Sequence, residues 1–197
     1  MAYTSCAADI AANIMEDCSN RLVGGYTGKG LLIPLSFNPA FTVDASNPRI
    51  ISAITLASGQ KWCVIDNASM EQPFTDSSMQ SNAEQGLRRF TKNVHFLIPS
   101  RGAAVAKQIV EPLADSAEGY LVVLEKKDRS GDGSFEVVGF EQGLKANADG
   151  IVRNEYENGG CTIVTMSTNE VNYEYSFFDT DYATTLAAFE ALLTKAY

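Results

Sequence analysis

The chain has 197 residues, 45% of them hydrophobic and 20% charged, which is an ordinary globular balance that can build a core and argues against disorder. Twenty-four acidic residues against 15 basic ones give a formal net charge of −9, a surface that repels nucleic acid and anionic lipid and that also keeps a free subunit soluble. No apolar stretch approaches the roughly 20 residues of a membrane span, and the start MAYTSCAADIAANIMEDC has neither the basic nor the continuous apolar region of a secretory signal. A single soluble domain over 1–197 is expected, with no linker and no internal repeat.

The first element predicted is a helix over 1–18, where Cys6, Ile10 and Ile14 recur at helical spacing and Thr4 or Ser5 can cap. GGYTGKG, Gly24 to Gly30, reads as a flexible loop. Strands follow at Leu31–Leu35, with Pro34 marking an edge or an end, at Arg49–Leu56, and at Lys61–Ile65 after a Ser58-Gly59 turn. Residues 66–86 are polar and aperiodic, either an extended arm or a strand pair without a clear signature. LRRFTKNVHFLI alternates, with Phe90, Val94, Phe96 and Ile98 on one face.

A second helix is predicted from Gly102 to Glu111, ending near Pro112. YLVVLEKK, the turn DRSGDGS and FEVVGF then read as a hairpin. CTIVTMST and VNYEYSF read as another hairpin around Asn169-Glu170. A closing helix over 180–196 carries Tyr182, Leu186, Phe189 and Leu193 on one stripe, with Thr180 or Asp181 as cap. Three helices around about eight strands predict an α+β fold, a mostly antiparallel sandwich or barrel.

The chemistry-bearing residues are sparse. The one histidine, His95, sits in the alternating strand, and no GxSxG elbow supplies a nucleophile for it. Cys6, Cys18, Cys63 and Cys161 form no CxxC pair and read as buried free thiols. GGYTGKG fails as a phosphate loop twice, at Val23 and at Gly30. Asp128, Ser130, Asp132 and Gly133 imitate the start of a calcium loop, but Gly139 stands where a bidentate Glu is needed. Glu16-Asp17 and Asp179-Asp181 lie at helix ends or in solvated stretches. Neither catalysis nor a metal or other cofactor is expected. Tyr173, Tyr175 and Phe177 alternate at strand spacing, as a core or interface face does.

From Gly119 to Tyr175 the order is apolar strand, Asp/Gly turn, strand ending in Gly-aromatic, an E-x-G-L segment, a polar loop and a closing strand pair. Leu121 to Glu125, Asp128, Gly133, Phe135, Gly139, Glu141, Gly143, Leu144, Thr162 to Thr165 and the Glu174 region carry this order. The block resembles the tail-tube-fold structural proteins of tailed bacteriophages, including ring or tube subunits of crAss-like and other Bacteroides phages. That resemblance implies a virion component made in the bacterial host cytoplasm. It implies self-assembly into a ring of six- or twelve-fold symmetry in a tail or neck, beside portal, neck or tail proteins, with DNA passing through unbound during ejection and no membrane partner. Met70, Phe74 and Met79 in the 66–86 segment and Arg88, Arg89 and Lys92 on the following strand are the expected subunit contacts. The alternatives are a small-molecule or glycan-binding β-domain that uses residues 66–86, and another capsid-associated phage protein.

Overall fold

The computed structural model describes residues 23–67, 73–74, 77–84, 87–129, 131–153, 155 and 159–195. The helix expected over 1–18, with Cys6 and Cys18, lies outside them, as does Met70. Among the described residues there are eleven strands: β1 (Tyr26–Pro34), β2 (Ala40–Val43), β3 (Ile50–Thr55), β4 (Cys63–Asp66), β5 (Ser78–Glu84), β6 (Leu87–Ile98), β7 (Tyr120–Lys126), β8 (Phe135–Val138), β9 (Lys145–Arg153), β10 (Thr162–Glu170) and β11 (Tyr175–Phe177). They form a seven-stranded sheet, ordered β2-β3-β11-β8-β7-β1-β4, and a four-stranded sheet, ordered β5-β6-β10-β9. The mixed α+β, mostly antiparallel expectation holds; β3–β11 is the parallel pair, and neither sheet closes into a barrel among the described residues.

β7 explains the layering. Its run YLVVLE is buried on both faces, the pattern of a strand covered on each side. Tyr120, Val122 and Leu124 meet Val94, Phe96, Val164 and Met166 of the small sheet, so one core lies between the two sheets. Leu121 and Val123, with Phe135, Val137 and Phe177, meet Phe189 and Leu192 of helix α3 (Tyr182–Leu193) on the opposite face. Of the two offered caps, Asp181 is the one used, accepting from Thr184 N at 2.8 Å. The indole of Trp62 donates to the Leu192 carbonyl near the other end of this helix.

Three expectations need correction. Tyr26 to Gly30 is not a loop but the first half of β1, which pairs with β4 and, across a bulge, with β7. Gly30 is there for closeness: a Cβ would sit 2.8 Å from a Leu124 methyl. The helix after Gly102 does not stop at Glu111 but runs on past Pro112 to Asp115. Its segments α1 (Ala103–Val105) and α2 (Glu111–Asp115) are joined by a π-helical turn at Ala106–Val110. Glu111 N reaches back to Ala106 O just before the proline, and the helix continues to bury Leu113.

The third correction concerns CTIVTMST and VNYEYSF, which are not a hairpin. β10 stays paired with β6 through Glu170, and the chain then crosses to the other sheet, where β11 pairs with β3 and β8. The hairpin of β7 and β8 does form, with Val122 opposite Val138 and a short 3-10 turn at Gly131–Ser134. Residues 66–86 resolve in part into β5, hairpinned on β6 from Ser78 opposite Asn93 to Glu84 opposite Leu87.

Candidate functional site: the polar crossover between the sheets

Residues 171–174 carry the chain from β10 in one sheet to β11 in the other, and three carboxylates hold this crossover. Glu141, the first residue of the E-x-G-L segment, receives Val171 N at 2.6 Å, Asn172 N at 3.3 Å, the Asn172 amide at 3.0 Å and the Tyr175 hydroxyl at 2.7 Å. Burial alone would raise its pKa, but the Val171, Tyr175 and Asn172 hydrogen bonds outweigh burial and leave it below the usual carboxylate range. Tyr175 is pushed up to about 12 by burial and by its bond to Glu141. Gly143, two residues on, has φ 73° and could not carry a side chain, because a Cβ would meet Glu118 O at 2.3 Å.

The second carboxylate is Glu170, the last residue of β10. It forms an ion pair with Lys92 of β6, the two side chains being 0% and 1% exposed. Its other oxygen accepts Glu141 N at 3.1 Å, and the Tyr175 ring lies 5.5 Å from the Lys92 ammonium. The third is Glu174, which binds Lys126 Nζ at 2.5 Å; Lys126 also reaches Glu136 at 3.2 Å, and Glu136 accepts from Tyr26 Oη at 3.1 Å. Burial raises Glu136, with Lys126 offsetting part of the effect. Burial works to lower Lys126, but Glu136 and Glu174 outweigh it and leave Lys126 raised. Tyr26 is raised by burial and by Glu136.

A cavity of about 130 Å³ opens between these groups, lined by Tyr26, Lys92, Glu136 and Tyr173 and by Ser77 to Met79. At its rim Tyr173 is 50% exposed and packs edge-on against Phe90, with ring centroids 5.3 Å apart; Val171 is also exposed. The arrangement can hold a few polar atoms, and it fixes the position of the crossover.

The predicted contact residues divide. Phe74 is 2% exposed, a core residue in edge-on contact with Tyr26. Lys92 is buried in its ion pair. Both side chains are therefore committed within the subunit, and so is Asn67, which bonds Leu97 N and O at 3.0 Å each. Met79 and Arg89 are half-buried, and the Arg88 side chain lies outside the described residues. His95 is a strand histidine, its Nδ1 3.1 Å from Thr165 Oγ1. Cys63 and Cys161 are free thiols but half-buried rather than fully buried. Tyr175 and Phe177 belong to the core, whereas Tyr173 does not. Sequence reasoning missed Glu136 and Glu170; the usable signal was parity, because Lys92 shares the face of Val94 and Phe96 and so requires a buried counter-charge.

A scan against protein-family models and searches of curated proteins and of solved structures find no match to this chain.

Proposed function

We propose that this chain is a structural subunit that self-assembles into a ring or tube, of the tail-tube type found in tailed bacteriophages, and that it forms part of a conduit for DNA. The observation that carries this reading is β5. It is an edge of the small sheet, its sequence SMQSNAE holds neither proline nor lysine, and its outer side is paired with no strand among the described residues. Proteins that stay monomeric usually blunt such an edge with Lys, Pro or a bulge, and β5 lacks these devices. The exposed Tyr173 and Val171 add an apolar contact beside it. The net charge of −9 suits a wall that lets a duplex slide past.

Electron micrographs of the purified chain should show closed rings or tubes. Gln80→Lys with Ser81→Lys, both on exposed β5 positions, should abolish them while changing folding stability by no more than about 0.5 kcal/mol. Dispersed monomers at every concentration, or tight DNA binding at moderate salt, would contradict the reading.

The cavity lined by Tyr26, Lys92 and Glu136 favours a second reading, a small-molecule-binding β-domain that uses Ser77 to Met79. Saturable ligand binding by a monomer would support it against assembly.

A further inference from the structure

We propose that Lys92 and Glu170 condense into an intramolecular amide, Lys92 Nζ to Glu170 Cδ, that ties β6 covalently to β10. This inference is independent of the assembly reading. Lys92 lies opposite Thr168, and Glu170 lies opposite Phe90, so the two side chains are diagonal neighbours on one face of an antiparallel pair. Both are buried and in direct contact. Among the described residues, Glu170 is the one hydrogen-bond acceptor of the Lys92 ammonium, whose remaining neighbour of note is the Tyr175 ring.

An ammonium brings three donors and a full charge, and burying it against a single acceptor is costly. An amide suits the same surroundings better. It carries no charge, its carbonyl oxygen keeps the Glu141 N–H that Glu170 already receives, and it presents one N–H. Thr168, across from Lys92, holds a buried hydroxyl oxygen with no partner among the described residues, an acceptor on that same face.

The step balances without an added reagent. A proton passes from the ammonium to the carboxylate within their contact, leaving an amine and an acid. The nitrogen lone pair attacks Cδ and forms the C–N bond, and the Glu141 N–H faces the oxyanion that develops. The C–OH bond then breaks, and the hydroxyl leaves as water with one proton from the nitrogen; nothing is oxidised or reduced. Fixed contact between amine and acid supplies an effective molarity on the order of 10⁵–10⁸ M, which an unassisted condensation lacks. Lys92 lines the cavity, which gives the water an exit.

Intact-mass measurement of the denatured full chain tests this. The wild type should be lighter than its sequence by one water. Tryptic digestion should leave Lys92 uncleaved, in a branched peptide joined to the one that carries Glu170. Lys92→Met and Glu170→Met should each restore the full mass, whether or not the variant folds. A wild-type chain that keeps its full mass after long incubation at neutral pH, or a branch at other residues, would overturn the proposal and leave an ordinary buried ion pair.

Discussion

The two faces of the large sheet are packed in different chemistries. Against α3, Leu31, Ile33, Phe135, Phe177 and Phe189 close an apolar layer, and its buried carboxylate, Glu125, is met by the hydroxyls of Thr27 and Tyr182 at 2.8 Å each. Against the small sheet, an apolar layer of similar extent is interrupted at one end by Lys92, Glu136 and Glu170. An apolar layer stabilises in proportion to the area it removes from water, whereas a buried charge is tolerated only with its partner. The difference teaches that the α3 side stabilises through apolar area, while the crossover side fixes one connection between the sheets through specific polar partners.

Paired deletions sharpen this contrast most. Lys92→Ala leaves the Glu170 carboxylate buried without its partner and should cost about 3–5 kcal/mol in urea unfolding. Lys92→Met combined with Glu170→Met should cost clearly less than that single change. On the α3 side Phe189→Ala should also cost about 3–5 kcal/mol, but there a second truncation, Leu192→Ala, should deepen the loss. Rescue on the α3 side, or none at the crossover, would break the comparison.

Glu141→Gln comes next. It removes the charge that gathers Val171 N, Asn172 and the Tyr175 hydroxyl, with an expected loss of about 1.5–3 kcal/mol. Because Glu141 is lowered in the fold, its contribution is present above the ordinary carboxylate range and fades as pH falls through its lowered value. The Gln variant should therefore lose part of the wild type's acid sensitivity.

The smallest expected effect is alkaline. Tyr175 is raised from 10.0 to about 12, so its contribution is complete below pH 10 and is lost as pH rises from about 10 towards 12. Tyr175→Phe should flatten stability across that window, as followed by thermal unfolding at stepped pH.

Much of the frame was legible because local pattern and tertiary role agree. β6 falls on the predicted strand, the hairpin of β7 and β8 forms around its Asp/Gly turn, and α3 begins at an offered cap. The crossover was not legible. Its residues 171–174 continue the alternation of a strand, and only the choice of partner, β6 for β10 but β3 and β8 for β11, breaks the run. Glu136 was hidden for a related reason: β8 is buried on both faces, so no alternation marks it as facing inward. Lys92 was readable, since it shares parity with Val94 and Phe96, but a basic residue is more often a surface residue. Gly30 reads as loop until its neighbour Leu124 is known.

Self-assembly through the β5 edge is the central claim, and sedimentation velocity of the purified wild-type chain over a wide concentration range tests it most directly. The account predicts one discrete species with the mass of a closed ring, or longer tubes built from it, and a monomer for the Gln80→Lys, Ser81→Lys variant. A wild-type chain that sediments as a monomer throughout, or a variant that assembles as the wild type does, would contradict it.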